Sequence, residues 1–224
     1  MRKRLSLTIA TLAAAASLGA CRGHASLINT PLTWNPSDDI GDLHQVLGEV
    51  HYAYGWGTTA QATGPDMSGQ VADAFAGQQL QLMPLVDNRT VKDIGSNTQD
   101  APPRPVMTQD NVADFVTTHI SEILKACRVP VVNSGGSRIL KGELNEFFVH
   151  EDNKYAGSTI IHFVLTDAAG HEIWSGTIRG SQDKWGRSFE AENYTENLSD
   201  ATVRAVHQLL MDPGFLAAAH KGSK

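Results

Sequence analysis

The chain has 224 residues, enough for one domain with an added subdomain, and a formal net charge of −6 at pH 7. Acidic residues outnumber basic ones, 24 to 18, which argues against nucleic acid or an anionic lipid surface as the main partner. Two cysteines allow at most one bridge, and their positions point to different roles.

The N-terminus carries Arg2, Lys3 and Arg4, then an apolar run from Leu5 to Ala16, then Leu18-Gly19-Ala20-Cys21. A charged start, a short apolar stretch and small residues at the cut are the parts of an export signal. The run falls short of the roughly 20 residues that span a bilayer. An ordinary signal peptide cut after Ala25 is the competing reading. Leu18, Gly19, Ala20 and Cys21 resemble a lipobox, the motif read by the lipoprotein signal peptidase, which implies cleavage before Cys21 and acylation of its thiol, palmitate included. Residues 1–20 are then the signal and 21–34 a lipidated tether, with a short strand expected around Thr30 to Thr33. Cys127 is the only thiol left, so no internal disulfide forms. Removing residues 1–20 takes away three basic residues, leaving 15 Lys+Arg against 24 Asp+Glu and a net charge of −9. By likeness to Gram-negative lipoproteins, Arg22 in place of an aspartate implies the outer membrane, periplasmic face, as destination.

Residues 35–78 are rich in glycine and hold the aromatic run His51-Tyr52-Ala53-Tyr54-Gly55-Trp56, readable as a strand or as a sticky loop. From residue 79 to 220 the pattern is that of an α+β domain. Residues 80–86 alternate as a strand and end at Asp87-Asn88-Arg89, residues that favour a turn. Gly95, Asn97, Pro102, Pro103 and Pro105 predict a loop over 92–106. A helix follows, with Thr108 as N-cap and Met107 and Val112 as hydrophobic staple. Its apolar stripe runs through Val112, Phe115, Val116, His119, Ile120, Ile123, Leu124 and Cys127, and Pro130 stops it. A short strand at 129–133 precedes three longer strands, 139–149, 158–166 and 172–180, joined by short turns that favour antiparallel hairpins. In the second strand Ile161, Phe163 and Leu165 share one face while Ile160 and Val164 populate the other, which predicts a strand covered on both sides. A polar loop is expected over 181–197, then a helix capped by Ser199 with Asp200 in its first turn. The expected fold class is α+β, an antiparallel or mixed sheet with two main helices packed on it.

Few residues suggest chemistry. The nine histidines form no HxH or HExxH unit and no i, i+4 helical pair, so no metal site is expected. Cys127 falls at a helix C-terminus on an apolar stripe, which disfavours a thiolate and reads as a small buried hydrophobe. Phosphate-loop and nucleophile-elbow patterns are absent, and no cofactor is implied. Glu143 and Glu146 read as a solvated strand face, and Asp87, Asn88 and Arg89 as a strand-end turn in which Arg89 pairs locally. Trp174 is expected in the core. Trp185, Phe189 and Tyr194, in the expected polar loop, are the candidate anchors for a partner protein.

The segment Leu82-Met83-Pro84-Leu85-Val86-Asp87-Asn88-Arg89 with Ile94-Gly95, followed by helix, hairpin strands and terminal helix, resembles YajG-type lipoproteins of Gram-negative envelopes over roughly residues 79–215. The resemblance implies an outer-membrane, non-enzymatic envelope role and transfers no catalytic residues. The leading expectation is a periplasm-facing lipoprotein that binds or assembles another envelope protein, held to the membrane by lipid on Cys21. A carrier or sensor of a small apolar ligand such as a lipid is the alternative and would need a concave apolar pocket. A metal-dependent envelope enzyme ranks behind both.

Overall fold

The computed structural model describes residues 27–220 apart from 47, 48, 52–57, 61, 62, 100 and 187. The expected signal, Cys21 and most of the aromatic run at 51–56 therefore lie outside the described residues. In chain order the elements are β1 (His44–Val46), β2 (Glu49–His51), β3 (Thr58–Ala60), β4 (Thr63–Asp66), α1 (Ser68–Ala74), β5 (Leu80–Leu82), β6 (Val86–Asp87), β7 (Gly95–Asn97) and β8 (Arg104–Val106). Then come α2 (Val112–Ala126), β9 (Val131–Val132), β10 (Arg138–Glu151), β11 (Lys154–Asp167), β12 (Glu172–Trp185), α3 (Ala191–Met211) and α4 (Pro213–His220).

The fold is α+β, with helices packed on an open mixed sheet of eight strands. Three 14-residue strands, β10, β11 and β12, form its antiparallel frame. The far edge of β10 is lined in turn by β5, β6 and β7, all parallel to it, and β8 pairs with β7. The loop expected at 92–106 thus contains two strands. Its prolines do not prevent this, because Pro105 sits in β8, a three-residue strand on the outer side of β7.

One sheet face is covered. Leu140, Leu144, Phe147, Val149, Ile161, Phe163 and Leu165 are fully or almost fully buried there, opposite Val116, Ile120 and Ile123 of α2 and Leu198, Ala205 and Leu209 of α3. Among the described residues the other face is open: Lys141, Glu143, Ser175, Thr177 and Arg179 are exposed, and Ile160 and Val164 only half-buried. This corrects the expectation that the second strand is covered on both sides. Its outward apolar residues pair across strands on a solvated face instead.

The helix α3 runs over β11 and β12. It can lie close because Gly157 and Gly180 carry no side chain beneath it. A Cβ on Gly180 would stand 1.8 Å from the Ala201 carbonyl oxygen, and one on Gly157 1.8 Å from Asn197 Oδ1. The core also takes in Leu43, Val71, Ala74 and Phe75, so the packed unit begins before residue 79.

Two helix starts differ from expectation. Asn111, not Thr108, caps α2: its side chain accepts from the Asp114 N–H at 3.2 Å and donates to the Asp114 carboxylate at 2.7 Å. Thr108 accepts from the Asp110 N–H at 3.1 Å, shaping the turn before the helix. Ser199 and Asp200 lie inside α3, which starts eight residues before Ser199.

Candidate functional site

The early start of α3 follows from what covers it. Residues 27–43 form an extended strap on the helical layer. Thr33 Oγ1 donates to Thr195 Oγ1 at 3.2 Å, and Asn35 N–H to Ser199 Oγ at 3.2 Å. The Asp200 carboxylate, 0 % exposed, accepts from Ser37 N–H at 2.6 Å, Ser37 Oγ at 2.5 Å, Asp38 N–H at 3.1 Å and Gln182 Nε2 at 3.3 Å. Arg204 Nε donates to Asp38 at 2.8 Å. The end of the stretch that reads as a loop is therefore helical, and the strap supplies partners to Thr195, Ser199 and Asp200 on the buried face of α3.

Farther along, the Ile40 carbonyl accepts from His207 Nε2 at 3.0 Å and from the Cys127 thiol at 3.3 Å. Burial pushes the Cys127 thiol up to about 12, aided by Asp39 and Asp42. It stays a thiol and packs as a small hydrophobe. Burial also lowers the pKa of His207, against the opposing pull of the Ile40 carbonyl and the Asp38, Asp42 and Asp39 carboxylates. Trp34 of the strap stacks on His119 at 4.1 Å between ring centroids, and His119 Nδ1 lies 2.8 Å from Glu122.

The three aromatic candidates part company. No loop spans 181–197: β12 runs to Trp185 and α3 begins at Ala191. Trp185, at the strand end, is 66 % exposed. Phe189 is half-buried, with the Arg104 guanidinium 4.0 Å from its ring centre. Tyr194 is fully buried on α3, so it is a core residue and not a surface anchor. Its hydroxyl donates to Glu151 at 2.6 Å, and burial together with the neighbouring carboxylate raises its pKa. Glu151, itself fully buried, also accepts from the Phe189 N–H at 3.0 Å and from Gln99 at 3.4 Å. This cluster ties the end of β10 to the start of α3.

Asp87 and Arg89 form a bidentate pair at 3.0 and 2.9 Å, and Asp87 also accepts the Arg89 N–H at 3.1 Å. The Arg89 hydrogen bonds hold the Asp87 carboxyl far below the usual carboxylate range. Asn88 reaches Glu143 at 3.4 Å and Asn145 at 3.3 Å on the open sheet face. Glu143 is exposed and Glu146 half-buried on β10. Among the described residues no three His, Cys, Asp or Glu side chains are placed to hold a metal ion. A depression of about 620 Å³ lined by Phe75, Gln79, Pro130 and Ser137 is open to solvent. Sequence reasoning missed three buried charged residues: Glu151, Asp200 as a strap anchor, and Arg138, whose Nε donates to the Ala219 carbonyl at 3.1 Å. Arg138 and Glu151 stand at the two ends of β10, where charge is ordinarily solvent-facing, so nothing local marks them as buried.

No family model and no curated protein matches the chain. Among solved structures it is similar to a Xanthomonas campestris protein of the DUF330 family, at 10 % identity and TM-score 0.47, over 59 % of this chain and 81 % of that one. It is also similar to a minor lipoprotein of Acinetobacter baumannii, at 12 % identity and TM-score 0.35, over 59 % and 92 % of the two chains. The PelC dodecamer of Paraburkholderia phytofirmans matches at 14 % identity and TM-score 0.34, over 55 % and 85 %.

Proposed function

We propose that this chain is a bacterial envelope lipoprotein, held to the periplasmic face of the outer membrane by acyl chains on Cys21, where it binds or assembles another envelope protein without catalysing a reaction. The observation that carries the reading is the Leu18-Gly19-Ala20-Cys21 segment closing a charged-then-apolar signal, six residues ahead of Leu27, where the described domain begins. Stable attachment takes more than one acyl chain, which a lipidated N-terminal cysteine carries. The YajG-type resemblance and Arg22 favour the outer membrane. The masked thiol of Cys127 and the donor role of Tyr194 favour a binding role over a catalytic one. Trp185 and the open face of β10, β11 and β12 offer an aromatic anchor and a broad surface to a partner protein. The open depression near Phe75 leaves an apolar ligand wet, so the carrier reading ranks second.

The test is metabolic labelling with a clickable palmitate analogue, membrane fractionation and crosslinked pull-down in living cells, on the native chain and on Cys21→Ala. The native chain is expected to carry label, sediment with outer membranes and capture a reproducible protein. Cys21→Ala should lose all three. An unlabelled native chain free of the membrane would sink the proposal.

A further inference from the structure

The described chain enters the fold at one particular end. Leu27 bridges Val106, the last residue of β8. The Met107 N–H donates to the Leu27 carbonyl and the Thr30 N–H to the Met107 carbonyl, both at 2.8 Å. Ile28 and Met107 are thereby held beside each other, past the end of the β7–β8 pair. Both expose apolar side chains, Ile28 by 61 % and Met107 by 37 %. Val91, 55 % exposed, precedes by three residues Ile94, whose N–H bonds to the Val106 carbonyl at 2.9 Å, so it lies in the connection that enters the same end. Beneath them Ile94 and Val106 are fully buried and give the end a rigid base.

Leu27 follows Cys21 by six residue steps, with residues 22–26 between them. At roughly 3.5 Å per residue these steps reach about 20 Å when fully extended. Whatever bilayer holds Cys21 is within that distance of Leu27. Of the other exposed large apolar side chains, Val86 lies on β6 beside β10, and Trp185 and Ile173 lie on β12, which is separated from β8 by β11, β10 and β7. Four strand spacings put the two edges about 19 Å apart.

Resting on the anchoring reading above, we infer that the end of the domain bearing Ile28, Val91 and Met107 seats on the membrane that holds the Cys21 acyl chains, its apolar side chains entering the headgroup layer. The acyl chains supply the affinity and the patch sets the orientation. The charge around it is mixed, with exposed Lys92 and Asp110 and half-buried Asp93, and the mature chain carries −9. The surface that fits is therefore zwitterionic phospholipid, not an anionic one. Seated this way, the domain turns β12 and Trp185 toward the periplasm.

The test uses the full acylated protein, purified in detergent and reconstituted into phosphatidylethanolamine–phosphatidylcholine vesicles that contain a diazirine phospholipid. After photolysis, lipid adducts are mapped by peptide mass spectrometry. Peptides covering 27–32 and 104–110 are expected to carry roughly fivefold more adduct than those of β12 and α4. The double variant Ile28→Ser, Met107→Ser should lose that excess while keeping its circular dichroism and melting temperature, because both side chains are already exposed. Adducts spread evenly or concentrated on β12, or unchanged labelling in the double variant, would overturn the inference. The same spectra report on Cys21. An unacylated cysteine overturns the anchoring reading and this inference with it, whereas an acylated one with adducts elsewhere overturns the seating alone.

Discussion

Replacing Asp200 with alanine removes a fully buried carboxylate that accepts three hydrogen bonds from the strap, two from Ser37 and one from the Asp38 N–H. A hydrogen bond to a charged group contributes about 1.5–3 kcal/mol net, and two backbone donors would be stranded if the strap stayed in place. The strap has another course: it can lift locally and let water satisfy those donors. That relief caps the loss near the sum of two weak charged hydrogen bonds, about 3 kcal/mol, or roughly a 100-fold rise in the opening equilibrium of residues 35–40. The assay is amide hydrogen exchange by mass spectrometry. In Asp200→Ala, protection at Ser37 and Asp38 should fall by that factor while β11 amides change far less, since Thr30 and Leu43 still pin the strap on either side. Asp200→Asn keeps one acceptor and should fall between. Unchanged exchange over 35–40 in the alanine variant would refute the argument that this carboxylate holds the strap.

Two further outcomes are expected. Gly180→Ala drives a methyl into the backbone of α3, 1.8 Å from the Ala201 carbonyl and 2.4 Å from the Ala205 nitrogen, so the helix must shift outward. A loss of about 3 kcal/mol or more by urea unfolding is expected, at the upper end for overpacking because no flexible side chain can yield, and a loss under about 1 kcal/mol would contradict the close approach. For His207, the folded pKa lies below the ordinary 6.5, so the unfolded chain takes up the proton first as pH falls. Its contribution is fully present above about 6.5 and shrinks as pH drops toward the folded value. The difference in stability between the native chain and His207→Gln, read by denaturant titration at three pH values, should therefore narrow on acidification, and a widening gap would reverse the assignment.

Much of the fold is legible in residue order because hydrophobic period is a local property. The three long strands, the stripe of α2 and the terminal helix repeat their apolar positions at spacings of 2 or 3.6, whatever they pack against. The proposed export signal and lipobox are local in the same sense, since such motifs are read linearly. What stayed hidden depends on partners far away in sequence. Thr195, Ser199 and Asp200 look like surface, and are buried because the strap, more than 160 residues earlier, brings donors to them. Tyr194 looks like a loop aromatic, and is core because Glu151 waits at the end of β10 to accept its hydroxyl. Which sheet face is open could not be read from β11, whose apolar residues point both ways. Only the tertiary structure decided it, by laying α2 and α3 on one side, because burial of a strand face is a property of its neighbours and not of the strand.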